Sequence, residues 1–194
     1  DWSYDLLDHE LQWVFRRLGV FVDGFDLDAV AAVTDLQPHE ARRQVERLMS
    51  KSLVARSDTS SGTRFRLLET VKAYAEDRLA DAGESEAARD AQLAHFHALA
   101  TANGVSGFGT LDVGRRLRHD IGNLTAVVRW AEAGQHWEVS AELAVMIVDA
   151  FMLETRIPEY AALLSSVRAH SSGIPPDVDG LLSARQWNVA LKLF

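Results

Sequence analysis

The apolar positions set the frame. Leu11, Val14, Phe15 and Leu18 fall at i, i+3, i+4 and i+7, which is one face of a helix. Asp8 stands before that run as an N-cap, and Gly19 follows it as a stop. Asp23-Gly24 marks a turn, and Asp26 can cap a second helix carrying Leu27, Val30, Ala31 and Val33. Pro38 suits the first turn of a third helix, with Ala41, Val45, Leu48 and Met49 inward. The period then changes. Leu53-Val54-Ala55-Arg56 reads as a strand and Ser57 to Gly62 as a polar, Gly-ended loop. Phe65 and Leu67 alternate with Arg64 and Arg66 at strand spacing. Leu67, Leu68, Val71, Tyr74, Ala75 and Leu79 then recur at helix spacing, so a strand runs directly into a helix over Glu69 to about Asp81. Leu68 and Val71 are expected to be buried at that junction. Three helices, a hairpin and a helix in this order predict a winged-helix module.

No strand signal follows. A helix is expected over roughly 84–102 with Leu93, Phe96 and Leu99 inward, then a Gly- and Ser-rich loop from Asn103 to Gly109. Leu117, Ile121, Leu124, Val128 and Ala131 repeat as a helical seam, and Gly134 ends it. Val139, Leu143, Met146, Ala150 and Leu153 repeat the same way, with Val145, Ile147, Val148 and Phe151 on other faces, so that helix should be packed on most sides. Pro158 opens a helix carrying Leu163, Leu164 and Val167, and Pro175-Pro176 opens one carrying Leu182, Val189 and Leu193. Helix pairs recurring at very roughly 40 residues predict tetratricopeptide-like hairpins. The expected fold class is therefore mainly α: a winged-helix domain over 1–82, then an all-α helical-repeat domain over 83–194 that continues past the last residue.

Composition adds limits. Of 194 residues 47% are hydrophobic and 25% charged, the balance of a globular protein with an adequate core. The absence of Cys excludes disulfides, thiolate metal sites and Cys nucleophiles. The most apolar run, Leu143 to Leu153, is too short for a bilayer and is interrupted by Asp149. A cytoplasmic location without membrane contact is expected. Net charge is −8, but its distribution is uneven. Residues 1–35 carry eight acids against Arg16 and Arg17, whereas residues 39–72 carry eight bases against four acids. The third helix and the hairpin thus form a basic zone in an acidic chain. Arg42, Arg43, Arg47, Lys51 and Arg64 are its candidate contacts, either for DNA or for docking on another protein surface. Net charge favours docking, so direct DNA binding by this chain is not expected.

Catalytic chemistry is not evident. No GxxxxGK loop, HExxH or GxSxG occurs, so no enzyme is expected. His95 and His97 stand two apart on a predicted helix and point in different directions, so no metal site is assigned. Asp149 and the tryptophans Trp13, Trp130, Trp137 and Trp187 are read as packing elements.

Three segments carry a family resemblance: Asp1 to Leu7 with Phe15 to Phe21, Leu48 to Val54, and Arg64 to Ala75. Together they resemble the region after the nucleotide-binding domain in large bacterial regulators of the STAND NTPase class, of LuxR and AfsR type, some fused to adenylyl cyclase domains. Asp120 to Ala131 resembles the start of that family's helical repeats. The resemblance implies a regulatory part of a longer protein, with the winged helix coupling nucleotide state to conformation and the repeats receiving a ligand or partner. It implies an upstream nucleotide-binding domain as partner, with ATP or ADP and Mg held there and no cofactor in this chain. In eukaryotic relatives of that class a His at the strand-to-helix junction touches the nucleotide phosphate. The matching residue here is Leu68, which leaves Arg66 and Glu69 beside it as nucleotide-proximal candidates. The alternative is a DNA-binding winged-helix transcription factor with a helical effector or dimerisation domain.

Overall fold

The computed structural model describes residues 2–59, 62–103, 117–170 and 173–193. They divide into two compact units, within residues 1–95 and 96–194. In the first, a helical turn Trp2–Asp5 precedes α1 (His9–Arg17), a 3-10 turn Leu18–Val20, α2 (Leu27–Thr34), α3 (Pro38–Ser50), β1 (Val54–Thr59), β2 (Gly62–Leu67) and α4 (Glu69–Asp81). Helix α5 (Ser85–Asn103) crosses the border. The second unit is all-helical among the described residues: α6 (Ile121–Ala133), α7 (Trp137–Met146), α8 (Val148–Leu153), α9 (Ile157–Arg168) and α10 (Pro176–Leu193). The protein is thus mainly α, with one antiparallel hairpin following helices of winged-helix type.

Local rules place the first helices. Asp8 accepts from the Leu11 N–H at 2.9 Å and Asp26 from the Ala29 N–H at 2.8 Å, each satisfying a donor left open at a helix start. Pro38 occupies the first turn of α3, where its missing N–H costs nothing. α2 and α3 are joined through Asp35, which caps α2 in the left-handed region at φ 49, and Asp tolerates that conformation better than most residues. Leu11, Val14, Phe15, Leu18, Val30, Val33, Val45 and Leu48 are all buried. The 3-10 turn crosses α4 so closely that a Cβ on Gly19 would lie 2.9 Å from the Glu76 amide nitrogen.

The hairpin is longer than expected. Its register runs from Val54 opposite Leu67 to Thr59 opposite Gly62, so Ser57 and Asp58 belong to β1 and not to a loop. Their polarity reflects an exposed two-stranded ribbon. Asp58 accepts from Thr63 at 2.9 Å and from Arg56 at 3.0 Å across and along it, and those contacts hold its carboxyl below the ordinary 3.8. A further pairing had no signal in the chain. Phe25 and Phe65 exchange two backbone hydrogen bonds of 2.8 Å, adding a one-residue third strand beside β2. Gly24 permits the approach, since a Cβ there would sit 2.9 Å from the Phe65 carbonyl oxygen.

Leu68 is 46% exposed, contrary to the expectation of burial. It is the extended N-cap residue of α4 (φ −70, ψ 151), so the strand pattern ends at Leu67 and the helical face begins beyond it, with Ala75 and Leu79 inward. At the far end of α4, Glu84 receives Arg16 in a two-pronged contact of 2.6 and 3.2 Å, with Arg17 at 3.5 Å. The Arg16 hydrogen bond holds the Glu84 carboxyl below its ordinary 4.5. A depressed acid contributes stability above its unfolded pKa, and this is lost as pH falls through the folded value. Urea midpoints are therefore expected to drop below about pH 4.5 and to drop less in Glu84→Gln. Identical acid profiles would show that this contact does not contribute.

On α5 the buried line is Ala88, Gln92, Phe96 and Ala100, while Leu93 and Leu99 are only half-buried. The seam is rotated because Gln92 turns inward and donates to the Val20 carbonyl at 3.0 Å. In the second unit Leu117, Ile121, Leu124, Val128 and Ala131 are all buried, as their spacing requires. The expected helix through Val139 to Leu153 is instead two, broken at Ile147, which caps α7 at φ −88, ψ 0. Tyr160 of α9 is fully buried and donates to the Ala144 carbonyl at 2.8 Å. Trp137 stacks on His170 with ring centroids 4.2 Å apart. The expected loop from Asn103 to Gly109 lies almost wholly outside the described residues, as do the side chains of Trp187, Val189 and Leu193.

Candidate nucleic-acid interface

Helix α3 turns Ala41, Gln44, Val45 and Leu48 into the core. Its outer surface is therefore His39, Arg42, Arg43, Glu46 and Ser50, all exposed. The Gln37 N–H donates to Glu40 at 3.2 Å and fixes the start of the helix. Among the described residues neither Arg42 nor Arg43 makes an ion pair or a side-chain hydrogen bond. Lys51 is exposed at the other end of α3. A groove of about 380 Å³ separates this surface from the hairpin and the start of α2. It is lined by Arg42, Glu46 and Met49 of α3, Arg56 and Thr63 of the hairpin, and Asp26 and Asp28.

The other candidate cations are placed differently. Arg47 is tied to Asp8 and to Gln44 (2.8 Å), so it braces α3 against the start of α1. These contacts, with the Leu11 N–H foremost, keep the Asp8 carboxyl below its ordinary 3.8. Arg64 is only 9% exposed and donates to the Gly24 carbonyl at 2.7 Å, which pins the loop before Phe25. Register and alternation put Arg56, opposite Phe65, and Arg66, opposite Ala55, on different sides of the hairpin. Arg66, Leu68 and Glu69 instead share a cavity of about 280 Å³ with Lys72 and the Phe21–Phe25 loop. Arg42 and Arg43 are thus adjacent on the outer surface of α3, whereas Lys51 caps its far end on the side of Asp8, and Arg47 and Arg64 are tied elsewhere. Arg56 was missed as a groove residue because its role depends on strand register.

Among the described residues there is no group of three or more His, Asp or Glu able to hold a metal ion, and no helix long and apolar enough to cross a membrane. His97 is paired with Glu142 at 3.0 Å.

Residues 7–80 match the model of a winged helix-turn-helix domain. Over 147 residues, 74% of this chain, the sequence is 37% identical to proteins of Mycobacterium bovis and Mycobacterium tuberculosis named as HTH-type transcriptional regulators. The matched stretch spans only 17% of their length. An uncharacterized Mycobacterium tuberculosis protein is 32% identical over 90 residues, 44% of this chain and 23% of that protein. No solved structure matches the chain.

These similarities point to DNA and overturn the expectation that this chain does not bind it directly. That expectation summed charges which do not share a surface. Asp8 and Asp26 are helix caps, and Asp8 is also neutralised by Arg47. Arg42 and Arg43 keep an outer face of their own. Local charge on the presented helix, and not net charge, governs contact with a duplex. Helix α1, the Phe25 pairing, α2, α3 and the hairpin, in this order, are the elements over which residues 7–80 match a winged helix-turn-helix domain.

Proposed function

We propose that this chain is a DNA-contacting regulatory part of a transcriptional regulator. Helix α3 enters the major groove and the hairpin lies along the backbone as a wing. The single observation that carries this reading is the pair Arg42 and Arg43, exposed on the outer face of α3 and without an ion pair or side-chain hydrogen bond among the described residues. Arg42, Lys51 and Arg56 are the proposed phosphate contacts. The second, helical unit serves as the effector part, receiving a ligand or partner protein.

Three phosphate contacts give a log-log salt slope near −2.7, from about −0.9 each. Affinity for labelled duplex DNA is then expected to fall about 40-fold between about 50 and 200 mM salt. Arg42→Ala should reduce the slope by about one contact. Fluorescence anisotropy checks both, and an absence of salt-dependent binding would remove the reading.

A second reading concerns the opposite side of the hairpin. The cavity at Arg66, Leu68, Glu69 and Lys72 supports docking of an upstream nucleotide-binding domain that itself holds ATP or ADP and Mg. In a longer chain carrying that domain, Arg66→Glu is expected to change nucleotide affinity by at least about fivefold. Unchanged affinity would discard this second role.

A further inference from the structure

The outer face of α3 has a restricted chemistry. Past its first turn, the exposed positions are Arg42, Arg43, Glu46 and Ser50, with His39 just before them. None is apolar, and none is an amide: Gln44, the helix's one amide side chain, is fully buried. Adenine is read best by the amide of Asn or Gln, and the thymine methyl by an apolar side chain. Neither tool is present at those four exposed positions; the half-buried Met49 lines the groove toward the hairpin, and the exposed Gln37 stands before the helix as its N-cap. What is present is a guanidinium, which pairs with guanine O6 and N7, and a carboxylate, which accepts from the cytosine amino group.

Arg43 and Glu46 lie three residues apart, so they are neighbours on one face. Three residues advance about 4.5 Å along a helix, against about 3.4 Å between base pairs. Among the described residues neither Arg43 nor Glu46 makes an ion pair or a side-chain hydrogen bond. Arg42 and Glu46 both line the groove toward the wing, and Arg43 stands beside it on the outer face. Glu46 is informative because a carboxylate facing a duplex is repelled by phosphate. It is compatible with tight binding only where a base donates to it.

We infer that the DNA read by this domain contains adjacent G·C pairs, with Arg43 reading a guanine and Glu46 a cytosine amino group. The inference rests on the DNA-binding reading above. It makes Glu46 a specificity-determining residue that subtracts affinity from every other sequence.

The test is selection from a random duplex library by the chain, by Arg43→Ala and by Glu46→Gln, with sequencing of the retained DNA. The expected result is an enriched doublet of G·C pairs. Glu46→Gln should change cytosine to adenine at one position only, because Gln pairs with adenine, with a change in preference of about 5- to 150-fold. Arg43→Ala should relax the neighbouring guanine. Since both side chains are exposed, circular dichroism should show all three proteins equally folded. Retained DNA rich in A·T pairs, or a motif indifferent to both substitutions, would overturn this inference and leave DNA binding standing. Retention of no duplex would overturn the DNA-binding reading itself, and this inference with it.

Discussion

Phe15→Ala is expected to destabilise the winged-helix unit by about 3–5 kcal/mol, the range for deleting a fully buried aromatic ring. Phe15 is 1% exposed. Its ring lies 5.5 Å from Tyr4 and 6.3 Å from Tyr74, so it joins the chain's first turn, α1 and α4 in one cluster. Burial of Tyr74 in that cluster raises its hydroxyl pKa above the ordinary 10.0. The cost is large because three elements lose a common neighbour and cannot collapse together onto the gap. Leu68→Ala is the comparison. With nearly half its surface exposed at the start of α4, it should change stability by no more than about 0.5 kcal/mol. Urea denaturation measures both. Equal midpoints for the two variants would contradict the packing described.

Gly19→Val is the second large effect. A Cβ at this position would meet the Glu76 amide nitrogen at 2.9 Å and the Ala75 carbonyl carbon at 3.0 Å. Both are backbone atoms of α4, so no side chain can rotate away. Either the 3-10 turn lifts or α4 shifts, at a cost of about 1–3 kcal/mol for overpacking. Arg16 and Arg17 would then lose registry with Glu84, just past the end of that helix. A thermal midpoint equal to the parent's would refute the close crossing.

The elements marked by a capped apolar stripe were legible in the chain. Asp8 before Leu11, Asp26 before Val30 and Pro38 before Ala41 each announce a helix by a local physical rule, and the structure places those helices there. What failed did so wherever a partner distant in sequence decides. Gln92 belongs to the core only because the Val20 carbonyl needs a donor. The Phe25–Phe65 pairing is one residue long and leaves no alternation to detect. Ser57 and Asp58 look like loop residues because an exposed ribbon has the composition of a loop. The candidate interface followed the same division. Arg42 and Arg43 were identifiable from helical spacing, but Arg47 and Arg64 were diverted by Asp8 and the Gly24 carbonyl, neither of which is near them in sequence. Net charge misled because it carries no address.

The single-residue pairing of Phe25 has an evolutionary corollary. It holds the hairpin backbone at Phe65, with Arg64 tied to the Gly24 carbonyl beside it, and the described residues of the ribbon beyond Arg64 are not buried. Residues added in matched pairs to the two strands would lengthen the wing while every side chain kept its face. One residue added to a single strand would turn the outer faces over, exchanging the side that carries Arg56 with the opposite one. The reach of this wing can thus drift among descendants of one ancestor in steps of two, without renegotiating the fold that holds α3.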